Sequence, residues 1–132
     1  MREKAVADFL FWLFTLVSAL LVPVCMLYFG RRFQKKPPRT INSGYGYRSA
    51  RSMRSQGAWD FAQVYSGRFW TRAGRPTLAV SLMWMLLLLG RDIGAVGASA
   101  VVLMGIQLVP LLAVIPATEL ALKRKFGGGG RK

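Results

Sequence analysis

"FLFWLFTLVSALLVPVCMLYF", Phe9 to Phe29, holds no charged residue. At 1.5 Å of rise per residue, a helix over this stretch crosses the roughly 30 Å hydrocarbon core of a bilayer. Two more uncharged stretches follow, Thr77 to Gly90 and Ile93 to Ala117. The second of these spans unaided. The first, "TLAVSLMWMLLLLG", needs the Arg75-Pro76 and Arg91-Asp92 pairs at its ends, whose arginines can snorkel to the interfaces. The expected fold is an all-α membrane protein with transmembrane helices over about 6–29, 76–91 and 93–117. Residues 31–75 form a basic insert carrying an amphipathic interfacial helix, and 118–132 form a basic flexible tail.

The net charge is +14, and its placement says more than its size. Eleven of the 19 Lys and Arg residues lie between Arg31 and Arg75, and five more between Lys123 and Lys132. Basic loops are retained in the cytoplasm. The expected topology therefore has the insert and the C-terminus inside, with the Arg91 turn and the N-terminus outside. Arg2 and Lys4 oppose this weakly and are offset by Glu3 and Asp8. Charge of this kind faces anionic lipid headgroups, and no nucleic-acid partner is expected. No small-residue cleavage site follows the first apolar run, so it reads as a retained span and not as a signal peptide. Val24 stands before Cys25 where a lipidation site needs a small residue. With one Cys and no His, no internal disulfide and no metal cluster is expected, and Cys25 reads as an apolar residue of the first helix.

Within the insert, "KKPPRT" is a stiff, extended spacer. "NSGYGYRS" reads as a tight loop in which Gly44 and Gly46 permit positive φ and Asn42 turns the backbone with its own side chain. From about Ser52 the rhythm becomes helical, with Ser52 or Ser55 as cap and Met53, Trp59, Ala62, Phe69 and Trp70 along one stripe. That pattern predicts a helix in the cytoplasmic interface up to about Trp70, with Trp59 toward lipid or protein and the arginines hydrated. Pro23 predicts a kink in the first helix, and Pro110 and Pro116 late kinks in the third. Gly90, Gly94 and Ala98, four apart, suggest a close helix approach.

The insert also resembles a known signature. Asn42, Gly46, Tyr47, Arg48, Ser49, Ser52, Trp59 and Ala62 fall on the pattern of the SdpI family of small bacterial membrane proteins, and Gly67 matches a small residue one turn on. Three positions depart from the pattern: Thr40-Ile41 stands where Pro is common, Ser49 replaces a commoner Thr, and Gln63 occupies a position often held by His or Asn. The resemblance implies immunity to a membrane-active peptide toxin, together with relay of a signal to a cytoplasmic repressor. These nine residues are the candidates for binding. From the residues themselves, Arg48 can pair with a lipid phosphate or with carbonyls at a helix end, and Trp59, Ala62 and Gly67 suit the interface and close packing. No nucleophile–base pair, cofactor loop or metal set is present, so neither an enzyme nor a cofactor is expected. A scaffold for a cytoplasmic regulator and a small transporter or channel subunit, the latter needing a homo-oligomer, are the alternative functions.

Overall fold

The structure, a computed structural model, describes residues 2–126. Among them are three helices and no strand: α1 (Arg2–Lys35), α2 (Gln56–Leu87) and α3 (Ile93–Phe126). The expected "GGGGRK" tail lies outside the described residues. Two of the helices, α1 and α3, are long and apolar enough to cross a membrane. Both overrun their apolar runs, since 34 residues make a helix of about 51 Å.

The helices are apolar outside as well as in. The buried side of α1 is a stripe of Trp12, Thr15, Ala19, Pro23, Met26, Gly30 and Phe33, spaced three and four apart. Its opposite side exposes Leu10, Phe14, Val17, Leu21 and Val24. On α3, Val101 and Val109 are each 70% exposed. A helix apolar all round belongs in lipid, where such faces cost nothing to expose.

Polar groups tie the helices together, although Gln107 Oε1 and Thr118 Oγ1 are buried without a hydrogen-bond partner. Pro23 lacks the amide that would bond the Ala19 carbonyl four residues back. Gln107 Nε2 supplies the missing donor at 2.7 Å and also donates to Ser81 Oγ at 2.8 Å, so one amide ties α3 to both other helices. Trp12 Nε1 donates to the Met85 carbonyl at 2.7 Å. Around this tie, Met85, Leu88, Val96 and Leu103 pack with Trp12 and Ala19.

Several expectations need correction. The predicted interfacial helix and the second span are one continuous helix, α2, of 32 residues. Pro76 lies inside it and costs one ladder bond, but Thr77 Oγ1 bonds Ala73 O at 2.7 Å, and packing on α1 on the N-terminal side carries the helix through. The helix starts at Gln56 because Ser55 caps it, accepting from Ala58 N at 3.1 Å. Of the two alternatives for Trp59, lipid or protein, the structure shows protein: the ring is fully buried.

The small-residue contact also lies elsewhere. A Cβ at Gly90 would meet nothing within 4 Å, and one at Gly94 only the Asp92 carboxylate. Gly90 instead serves the α2–α3 turn with φ +89°. The close crossing is between α1 and α2, where a Cβ on Gly67 would fall 2.6 Å from the Gly30 carbonyl oxygen. One on Gly30 would fall 2.8 Å from Gly67 O.

Candidate functional site

Residues 36–55 join α1 to α2 and fold back on both. Asn42 Oδ1 accepts from Gly44 N at 2.8 Å and Tyr45 N at 2.7 Å, which is the expected side-chain turn. Of the two loop glycines only Gly46 takes positive φ, +101°. It also has no room for a side chain, because a Cβ there would come within 2.6 Å of Gln63 Oε1. Arg48 turns inward on its own loop: its guanidinium donates to the carbonyls of Ser43 and Gly46. The carbonyls it binds are thus those of the loop, and not those of a helix end.

The loop is held to α2 by a residue outside the candidate set. Gln63, fully buried, accepts from Tyr47 N at 2.7 Å and donates to Tyr47 O at 2.8 Å. Its amide thus acts on Tyr47 as a neighbouring strand would. Ser49 and Ser52 close the next turn reciprocally, Ser49 N to Ser52 Oγ at 2.8 Å and Ser52 N to Ser49 Oγ at 3.2 Å. Trp59 Nε1 donates to Pro38 O at 2.7 Å, and Gln56 Nε2 to Arg39 O at 2.6 Å. The proline segment is therefore clamped to α2 and does not act as a free spacer.

The third helix is latched to the same loop. Tyr47 OH donates to Glu119 Oε2 at 2.6 Å, and Arg51 Nε lies 3.5 Å from Glu119 Oε1. Burial, and then the carboxylate it bonds, hold the Tyr47 phenol well above its ordinary range, so it stays a donor. Glu119 is isolated in sequence but not in space. Next to this latch, Ala58, Ala62 and Leu122 pack together with Tyr47 and Phe61, so Ala62 gives α3 its close approach.

These ties wall an open-sided cavity of about 460 Å³. Phe29 and Phe33 of α1 wall one side, and Tyr45 meets both ring edge to face, at 5.5 Å for Phe33. Gly46, Tyr47, Arg48 and Ser49 form the loop side. Ser66 and Trp70 of α2, and Leu111, Leu112, Val114, Ile115 and Glu119 of α3, complete it. Leu112 and Ile115 are half exposed, so the rim continues into the apolar outer surface of α3. Four of the nine candidates thus line one cavity. Asn42, Ser52, Trp59, Ala62 and Gly67 stand behind it and hold its walls.

Sequence reasoning missed Gln63, Glu119, Gly30 and Pro38. A signal for Gln63 did exist: it sits between Trp59, Ala62, Ser66 and Trp70 at helical spacing, a polar residue on the buried stripe. Glu119 had no such signal, because its partners are 68 or more residues away.

An apolar helical framework with a hydrogen-bonded loop walling a cavity near one end defines the class, a small membrane protein with a built loop site. Residues 39–118 match the model of the SdpI/YfhL protein family, and the chain belongs to that family. The match takes in the loop, α2 and most of α3, and begins after α1. No curated protein and no solved structure matches the chain.

Proposed function

We propose that this chain is a multi-pass protein of the bacterial cytoplasmic membrane that confers immunity to a membrane-active peptide, and that the loop-walled cavity takes an apolar segment of that peptide. The observation that carries the reading is the cavity itself. Four motif residues line it, its other walls are mainly apolar, and its rim meets the lipid-facing side of α3. An occupant of such a site comes from the bilayer and presents apolar side chains with a few polar groups. Immunity needs recognition without turnover, and the site offers recognition.

In this reading Thr77–Leu87 of α2, with the turn that follows to Gly90, makes the third span, with Arg75 and Arg91 at its two ends. Its first five turns continue below the membrane and carry the loop. The N-terminus lies outside, and the loop and C-terminus lie in the cytoplasm, as sixteen of 19 basic residues favour. Reporter fusions after Arg54 and at the C-terminus are expected to read cytoplasm, and a periplasmic signal from either refutes this topology.

One observation favours a second reading. The cavity lies at the basic end, where a cytoplasmic regulator can also reach the exposed loop. Expression in a sensitive bacterium is expected to raise survival against a cognate peptide. Ile115→Trp, which fills the cavity from its exposed rim, is expected to abolish that protection at equal membrane levels. Equal survival of both strains across candidate peptides, with a cytoplasmic repressor co-purifying with the wild type, gives the site to the scaffold function.

A further inference from the structure

A second groove, of about 560 Å³, runs between α1 and α2, lined by Leu27, Arg31, Gln34, Lys35, Thr71 and Arg75. It is separate from the loop-walled cavity and shares no residue with it. Its floor satisfies itself: Gln34 Nε2 donates to Gly30 O at 3.0 Å and to Thr71 Oγ1 at 2.9 Å. Thr71 Oγ1 in turn donates to Gly67 O at 3.0 Å. Both amide hydrogens of Gln34 and the hydroxyl hydrogen of Thr71 are spent, so what the groove still offers a ligand is charge.

That charge is threefold positive and uncompensated. The ion pairs among the described residues are Lys4–Asp8 and Arg51–Glu119, and neither involves Arg31, Lys35 or Arg75. Arg31 and Lys35 are one turn apart on α1, and Arg75 faces them from α2. The helices cross in close contact at Gly30 and Gly67, where no Cβ fits, and Gln34 bonds Thr71 across them, which sets the spacing of these cations. Like charges held in a fixed groove favour an anion with several acceptor oxygens, and arginine forks suit phosphate.

The level of the groove says where that phosphate comes from. On α1 the uncharged run ends at Gly30 and Arg31 follows; on α2 Arg75 precedes the uncharged run that begins at Thr77. Both helices change from basic to apolar at this groove, and Leu27, which packs against Gly74, closes its apolar end. Beyond it, one turn further into the apolar run, α1 exposes Val24. Cations at the mouth with apolar surface above them match a lipid headgroup and its chains, whereas a soluble phosphate would make no use of the apolar end.

We propose that this groove is a specific site for one anionic phospholipid, its phosphate held by Arg31, Lys35 and Arg75 and its chains lying over Leu27. The proposal is independent of the immunity reading. The test is native mass spectrometry of the full chain in detergent, titrated with phosphatidylglycerol and with phosphatidylethanolamine. One phosphatidylglycerol is expected to bind saturably in preference to the zwitterionic lipid. Removing three interfacial cations at about fivefold each predicts a loss on the order of 100-fold for the triple variant Arg31→Gln, Lys35→Gln, Arg75→Gln.

Arg39→Gln, Arg54→Gln, Arg124→Gln removes the same charge from exposed positions elsewhere and is expected to bind within about threefold of wild type. A charge-keeping pair, Arg31→Lys with Arg75→Lys, is expected to retain the bound lipid. Equal losses in the two triple variants, or unsaturable binding by the wild type, overturn the proposal. So does displacement of the lipid by millimolar inorganic phosphate, which would make the groove a soluble-anion site.

Discussion

Gln63→Leu removes an amide that holds the loop by both its ends, and leaves a side chain of similar volume at a fully buried position. The two bonds lost are Tyr47 N to Oε1 at 2.7 Å and Nε2 to Tyr47 O at 2.8 Å. The Tyr47 carbonyl keeps a long contact from Ser52 Oγ at 3.4 Å, whereas the amide keeps nothing. An orphaned buried donor costs about 1–3 kcal/mol, and a weakened acceptor adds roughly 1. The total, about 2–4 kcal/mol, raises the open population of the loop roughly 30- to 700-fold, at 1.4 kcal/mol per tenfold.

Hydrogen exchange of the Tyr47 amide reads that population directly, because opening precedes exchange. Amides in α3 around Leu103, remote from the loop, serve as the internal control and are expected to stay unchanged. An increase of less than about threefold at Tyr47, with α3 still protected, refutes the claim that Gln63 holds this loop.

Three further outcomes follow from the same geometry. Tyr47 is one of four tyrosines, and its raised pKa means the folded state gains stability that is complete below the free phenol value of about 10 and is lost as pH climbs toward the raised one. Spectrophotometric titration is expected to show a late phenol that is absent from Tyr47→Phe and moves earlier in Glu119→Gln; a late phenol unmoved by Glu119→Gln refutes the Glu119 latch. Gly67→Val forces α1 and α2 apart and is expected to destabilise by about 1–3 kcal/mol in thermal unfolding. Gly105→Ala, whose Cβ would meet nothing within 4 Å, is expected to be neutral or stabilising. Arg48→Lys keeps the charge but loses the fork that reaches the Ser43 and Gly46 carbonyls, so proteolytic nicking of the loop is expected to rise, while Arg54→Lys leaves it unchanged.

What could be read from the sequence was local or periodic. The apolar run from Phe9 to Phe29 marked α1, the Asn42 turn and the positive φ of Gly46 followed from residue type, and the Ser55 cap lay one step from a helical rhythm. What could not be read depended on contacts across the chain. Pro76 looks like a boundary between two helices, because nothing nearby in sequence shows that Gly67 and Gly74 press α2 against α1. Trp59 looks like an interfacial ring, because its partner, Pro38 O, is a backbone atom in a segment with no pattern of its own. The four-apart spacing of Gly90, Gly94 and Ala98 suggested a contact, while the actual crossing pairs single glycines on two helices, which no spacing within one helix can reveal.

The division of labour within the motif bears on where specificity resides. Asn42, Ser52, Trp59 and Ala62 spend their polar groups or their volume on the loop and on neighbouring helices, and Arg48 donates to loop carbonyls. A motif spent in this way specifies the shape of a cavity more than the identity of its occupant. Discrimination then falls to cavity residues whose side chains make no hydrogen bond to the loop: Phe29, Leu112 and Ile115. Phe29 and Ile115 come from different helices, and Ile115 meets the Tyr47 hydroxyl only through its backbone carbonyl, so both side chains can vary in size without unfastening Tyr47 from Gln63 or Glu119. Exchanging those three side chains is therefore expected to change which apolar segment is accepted and to leave Tyr47 amide protection as it was. Loss of that protection would mean that wall and fastening are one structure, and that the motif itself sets the choice.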